Sequence, residues 1–409
     1  MGEDIRTFMQ DALNQREHLK NRRRLKIRDG VDFCSNDYLG LARIALPVLQ
    51  NGPQNGSPDG HQTKQSTSST GSRLISGDHH NLRACEDNIA RFHKCEAALL
   101  FSSGYQANIG LLSALGQAGD IFICDEYIHA SLIDGARLSR ADRLIFKHND
   151  INDLEKNLKQ AKDRLCTAKS QGNQGRIFII AEALYSMDGD LAPLQEISHL
   201  CEAYKANLII DEAHSIGIYG EHGQGRANAL GLSDKVLATI YTYGKAPGFH
   251  GAAIAGSALL KDYLINFCRS FIYTTAPSPQ YAQDLITVYQ RMEKADEARH
   301  KLTENIDYFR SLIGSNSPVK LQGHWIESQS PVQGFIYPGN EKIKILDAHL
   351  AKSGFAIKAI LSPTVPAGQE RLRINIHAHN SFDDIKALVR DIHHFSQNLH
   401  QTSSRDMQE

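Results

Sequence analysis

Between Ala97 and Ile240 the sequence repeats one pattern, a short apolar run followed by a stretch with helical spacing, and few folds accommodate it. Ala97-Ala98-Leu99-Leu100-Phe101 reads as a strand, and the turn Ser102-Ser103-Gly104-Tyr105-Gln106-Ala107-Asn108 opens a helix through Leu115. Strands recur at 121–124, 143–146 and 177–181, with helices over 129–138, 151–161 and 194–203. Strands separated by helices of this length predict a mainly parallel sheet with helices on both faces, within one large α/β domain.

Two of the apolar runs end in chemistry. Asn207-Leu208-Ile209-Ile210 leads into Asp211-Glu212-Ala213-His214, which places a carboxylate at the carboxyl edge of the sheet, where α/β proteins bind ligands. The run 236–240 leads into Thr242-Tyr243-Gly244-Lys245-Ala246-Pro247-Gly248, a lysine among small residues. Such a lysine suits a Schiff-base cofactor, and pyridoxal phosphate needs an acid that keeps its pyridine nitrogen protonated. Asp211 and Lys245 therefore read as one site. The serines and glycine at 102–104 offer free N–H groups to a phosphate at a helix start, where simple capping is the plainer reading.

Asp211 to His214 also spells DEAH, the second nucleotide motif of a helicase family, so a DEAH-type nucleotide hydrolase is the remote alternative. That reading requires a phosphate loop of the form G-x-x-x-x-G-K-[ST], yet Gly244-Lys245 is followed by Ala246. The net charge of -1 carries no basic footprint for nucleic acid.

A chain of 409 residues exceeds what one hydrophobic core usually serves, so a second, smaller domain is expected. Helical spacing of Ile5, Phe8, Met9 and Leu13 ahead of Arg22-Arg23-Arg24 predicts an amphipathic arm, whose arginines either complement a helix end or clamp an acidic substrate. Residues 51–70 are rich in Gly, Pro, Gln, Ser and Thr and read as a loop. A long helix over 280–313 leads to strands near 334–336 and 371–376 and helices at 343–352 and 382–395. The expected division is an arm with a first strand at 1–50, the large domain at 51–276, a connecting helix with an α+β domain at 277–399, and a flexible tail at 400–409.

No apolar run approaches the roughly 18 residues of a membrane span, and the first residues lack a signal-peptide plan. A cytoplasmic protein without a membrane partner is expected. Seven scattered cysteines without a C-x-x-C pair predict reduced thiols, and the pairs His79-His80 and His377, His379 lack further ligands at metal spacing, so no metal is expected.

Around Asp211, His214 and Lys245 the chain carries further motifs: Asn36-Asp37-Tyr38-Leu39-Gly40, Ser69-Thr70-Gly71-Ser72-Arg73, Pro363-Thr364-Val365-Pro366-Ala367-Gly368 and Arg371-Leu372-Arg373. Together, over nearly the whole chain, they resemble the α-oxoamine synthase family of fold-type I pyridoxal-phosphate enzymes. The resemblance implies Lys245 as the Schiff-base lysine, Asp211 on the pyridine nitrogen, His214 on the ring hydroxyl and His129 stacked on the ring. It implies Gly104, Tyr105, Ser186 and Thr242 around the phosphate and ring substituents, with Glu182 ordering the site. Asn36, Arg373, Thr364 and one of Arg22, Arg23 and Arg24, with Arg23 preferred, would meet the substrates. The implied reaction is a decarboxylating condensation of L-alanine with a pimeloyl thioester of CoA or an acyl carrier protein; a glycine-using acetyltransferase is the alternative. A homodimer is implied, with the loop 69–77 crossing to the second subunit's site. Three features depart from the family pattern: Leu361 and Ser362 where arginine and proline are common, with Lys358 a substitute charge; Tyr105 where phenylalanine is common; and Ala246-Pro247 after the lysine.

Overall fold

The structure, a computed structural model, describes residues 4–46, 68–170, 174–314 and 321–403. Most of the expected loop at 51–70 lies outside them. The chain divides into two compact units, the larger formed by Leu39–Ser186 and Leu191–Glu297, the smaller by Met1–Tyr38, Met187–Asp190 and Ala298–Glu409.

The short strand β1 (Val31–Asp32) belongs to the smaller unit. In the larger one, β2 (Ala97–Phe101), β3 (Ile121–Asp125), β4 (Asp142–Phe146), β5 (Ile177–Glu182), β6 (Asn207–Asp211), β7 (Val236–Thr242) and β8 (Ala252–Gly256) form a seven-stranded sheet in the order β2-β8-β7-β6-β5-β3-β4. β4, β3, β5, β6 and β7 pair in parallel, whereas β8 runs antiparallel to both its neighbours. Every residue of β3 and β5 is buried, as a parallel sheet covered on both faces requires.

Strand alternation assigns the faces. Phe178, Ile180 and Ile209 pack into a cluster with Leu111 and Leu112 of the helix Gly104–Leu115, while Ile177, Ile179, Leu208 and Ile210 pack with Leu154 and Leu158 of the helix Ile151–Ser170. The same period carries Glu182 and Asp211, the last residues of β5 and β6, to the face under Gly104–Leu115. Thr242 follows Ala238 and Ile240 to that face on β7. Lys245 lies just past it in the hairpin that turns the chain into β8. There Gly248 needs its positive φ of 68°, and a Cβ would stand 2.3 Å from the Ala42 nitrogen.

In the smaller unit β10 (Val332–Ile336) and β13 (Arg371–Asn375) form the centre of an antiparallel sheet flanked by the short strands β9 (His324–Trp325) and β12 (Lys358–Ile360), and β1 pairs in parallel with β11 (Phe355–Ala356). The expected single helix over 280–313 is two, Pro279–Glu293 and Asp296–Ile313. Burial continues through Ala295 to Leu302, but at the break the Lys294 and Ala295 N–H groups bond to the Arg291 and Met292 carbonyls three residues back, which tightens the backbone out of the α-helical pattern. The last helix, Phe382–Ser403, overruns its expected end at 395 and the start of the expected tail. The N-terminal helix Ile5–His18 buries none of its residues.

The segment Met187–Asp190 belongs to the smaller unit, although its flanks on both sides belong to the larger. Asp188 makes an ion pair with Arg371, and Gly189 has φ 74° with its would-be Cβ 1.9 Å from the Val332 carbonyl oxygen. Gly189→Ala therefore combines a left-handed backbone with a clash against main chain, and is expected to destabilise the fold by at least about 2 kcal/mol. A fall in the urea midpoint at unchanged slope measures it.

Candidate active site

The larger unit gathers a polar cluster where the parallel strands end. Asp211 is 4% exposed, and each of its oxygens accepts an N–H: Oδ1 from Ala213 N at 2.9 Å and Oδ2 from Asn108 Nδ2 at 2.9 Å. The first bond closes an Asx-type turn after β6; the second comes from the buried face of the helix Gly104–Leu115. Both oxygens of this buried carboxyl group are therefore fixed by N–H donors.

Asn108 Nδ2 also donates to Ser131 Oγ at 2.9 Å, and Ser131 Oγ lies 2.7 Å from His129 Nδ1. Because Nδ1 also accepts the Ser131 backbone N–H at 3.2 Å, it carries no proton, and the neutral ring holds its proton on Nε2. Burial pushes the His129 imidazole below its usual range despite the pull of Asp211, and Lys245 adds to the lowering. Sequence reading placed His129 and Asp211 in one site but missed Asn108 and Ser131, which join them. Asn108 stood in the quoted turn 102–108, yet nothing local marks a bond between residues 103 positions apart.

Glu182 is β5's register partner to Asp211 and is 3% exposed. Lys245 is half-buried, its Nζ 3.4 Å from the Thr242 hydroxyl. Gly104 approaches the same threonine so closely that a Cβ would lie 2.4 Å from the Thr242 methyl, which brings the helix start down onto the end of β7. Ser103 caps that helix by accepting the Gln106 N–H. Tyr105 is 48% exposed, and its hydroxyl donates to Asp134 at 2.7 Å. His214 is buried in the turn after β6, and Ser186 is half-buried beyond β5.

The DEAH spelling has a structural explanation. Glu212 turns away from Asp211 and accepts the backbone N–H groups of Arg226 at 2.9 Å and Ala227 at 2.6 Å, together with the Ser215 hydroxyl. Burial pushes it up to about 7, while the two N–H groups pull the other way. It is a loop anchor.

Other candidate residues lie in the smaller unit. Arg373, buried on β13, donates to Asn36 Oδ1 at 3.0 Å, and Tyr38 OH donates to the same oxygen at 3.1 Å. Asn36 is held in turn by Asn375 Nδ2 at 3.3 Å. Asp32, His377 and His379 bring ligand-type atoms within 4.8 Å of one another. Asp32 is engaged by the Cys34 and Ser35 N–H groups and the Ser35 hydroxyl, and His377 by Ser35 and Asn380, so these bonds shape the loop that carries Asn36. Thr364 is exposed in the turn after Leu361. Arg23 is exposed, while its neighbours Arg22 and Arg24 both pair with Glu17.

Asn108→Ala removes a donor from Asp211 and another from Ser131 in a closed interior. It is expected to cost about 1–3 kcal/mol of stability, read from denaturant unfolding, with Asn108→Asp costing more because it sets a second carboxyl against Asp211.

Residues 28–392 match the family described as aminotransferase class I and II. The 8-amino-7-oxononanoate synthase of Emericella nidulans is 35% identical over 420 residues, covering 98% of each chain. The crystal structure of 8-amino-7-oxononanoate synthase from Francisella tularensis superposes with a TM-score of 0.70 at 27% identity, covering 91% of this chain and 99% of that one. Serine palmitoyltransferase from S. paucimobilis, solved with PLP and myriocin bound, shares the fold with a TM-score of 0.80 at 23% identity over 96% of this chain and 98% of that one. The chain belongs to the aminotransferase class I and II family and, within it, to the α-oxoamine synthases.

Proposed function

We propose that this protein is a PLP-dependent 8-amino-7-oxononanoate synthase, condensing L-alanine with a pimeloyl thioester and releasing carbon dioxide and the free thiol carrier. The observation that carries the proposal is the buried Asp211 side chain, hydrogen-bonded on both oxygens, at the same sheet edge as Lys245. The full-length similarity to a synthase of that name supports it.

The donor set fits pyridoxal phosphate: an anion for the ring nitrogen, a lysine for the aldehyde, and a helix start for the phosphate. When bound, the cofactor supplies an electron sink for charge developing at the amino acid's α-carbon. Asp211 would hold a proton on the pyridine nitrogen, and His214 would serve the ring hydroxyl. The Gly104 and Tyr105 amides, Ser186 and Thr242 hold the phosphate and ring substituents. His129, neutral and fixed in one tautomer, would offer an uncharged face to the ring. With the cofactor bound, Lys245 would take the α-proton of the amino acid onto Nζ and later return it. Arg373, oriented by Asn36, holds the amino-acid carboxylate through its two-pronged guanidinium. Thr364 and Arg23 face the acyl substrate.

We also read the active form as a cytoplasmic homodimer. Among the described residues no helix is long and apolar enough to cross a membrane. The loop around Arg73 supports the dimer: Arg73 is pinned to Asp78 and Glu86, both at 2.7 Å, while Leu74 and Ile75 project at 53% and 87% exposure. Ile75→Asp should therefore shift the sedimentation coefficient toward the monomer and lower activity in parallel.

A visible spectrum tests the function. The protein incubated with PLP should turn yellow, and L-alanine should perturb the band at lower concentration than glycine does. A preference for glycine would point to glycine C-acetyltransferase instead, and a protein that stays colourless would end the reading. Lys245→Ala should abolish the absorption band and cost at least about 10²–10⁴-fold in turnover, the scale of a lost proton-transfer group.

A further inference from the structure

The carboxyl edge of the large sheet presents four side chains in strand order: Lys245 after β7, Asp211 on β6, Glu182 on β5 and His129 after β3. Glu182 and Asp211 are register partners on parallel strands, and both are buried. Two carboxyls so close in a dry interior do not both ionise, and one keeps a proton. The donors decide which. Asp211 has an N–H on each oxygen. Among the described residues Oε1 of Glu182 is buried without a hydrogen-bond partner, and the backbone N–H of His129 is the one donor group that acts on its carboxyl. Asp125 on β3, Lys245 and the phenol of Tyr185 are the other charged or titratable groups that act on it. Burial and then Asp211 push Glu182 well above the usual carboxyl range, with Lys245 opposing them.

We propose that Glu182 is held as the neutral acid and acts as a positioning residue, anchoring the backbone that presents His129 and leaving Asp211 as the single anion of the pair. Only the use of that anion, to face the cofactor's ring nitrogen, rests on the function proposed above; the protonation state belongs to the chain itself. The linkage has a definite sign. A carboxyl that binds its proton more tightly when folded contributes stability that is fully present below the ordinary glutamate range and is lost as pH rises toward the folded value.

Infrared difference spectroscopy on the cofactor-free protein at neutral pH tests this. The unsubstituted protein should show the C=O stretch of a protonated carboxyl, and Glu182→Gln should remove it while leaving the separate contribution of Glu212. In denaturant unfolding from about pH 5 to about pH 8, Glu182→Gln should flatten the decline in stability, by up to tenfold in the folding equilibrium constant per pH unit. Absence of any band component that Glu182→Gln removes, or a slope that survives the substitution unchanged, overturns the proposal. Should Glu182→Gln not fold, Asp211→Asn provides the second arm: with the neighbouring charge gone, the band should titrate away at lower pH, and an unmoved band counts against the proposal. A protein that shows the band yet takes up no PLP keeps Glu182 neutral and ends the functional reading instead.

Discussion

The arrangement of the larger unit depends on keeping one charge in a dry place. Stripping a carboxylate of water costs several kcal/mol unless donors replace what water gave, and Asp211 meets that condition with two bonds of 2.9 Å. One donor is its own turn. The other is Asn108, buried on a helix that must therefore lie close over β6 in a fixed orientation. That requirement reaches outward: Gly104 must lack a side chain for the helix start to seat against Thr242, and Asn108's second hydrogen fixes Ser131 and, through it, the His129 tautomer.

Strand period then does the sorting. Two residues per repeat send Phe178, Ile180 and Glu182 to one face of β5 and Ile177, Ile179 and Ala181 to the other, so one chemical side chain appears at the end of an apolar row without disturbing it. Because β5 and β6 are parallel and in register, their last residues fall side by side. The single antiparallel strand has a role too. A crossover helix after β7 would carry the chain away from the sheet edge, whereas the hairpin into β8 keeps Lys245 at that edge, near Thr242.

Much of this was legible in the sequence, for identifiable reasons. Long apolar runs with helical stretches between them specify the sheet, and a run that stops at Asp211 or at Thr242 marks where its strand reaches the edge. The smaller unit was harder to read. His324–Trp325 and Lys358–Ile360 are too short to show a two-residue period, and the break after Glu293 has neither proline nor glycine to announce it. The assignment of Met187–Asp190 to the smaller unit was invisible as well, because it rests on a glycine with φ 74° against a carbonyl more than a hundred residues away. Asn108 and Ser131 belong to the same class: short polar residues in a helix read as capping or solvent-facing until a distant strand supplies their partners.

Asp211 and Glu212 show how far adjacency in sequence can mislead. The peptide bond between them turns one carboxyl toward the helix Gly104–Leu115 and the other toward Ala227, which packs in the cluster on the opposite face. Each then takes the chemistry of its own side. Asp211 is fixed by N–H donors on both oxygens at the sheet edge. Glu212, tied to the main chain of the loop and pushed up to about 7, keeps the segment around Gly225 in place. Gly225 itself would set a Cβ 2.9 Å from the Glu212 carboxylate, so the glycine and the acid require each other. Four letters that elsewhere denote a nucleotide motif here divide between a buried acid at the sheet edge and a loop anchor, and the surroundings of each side chain, more than its spelling, decide which it is.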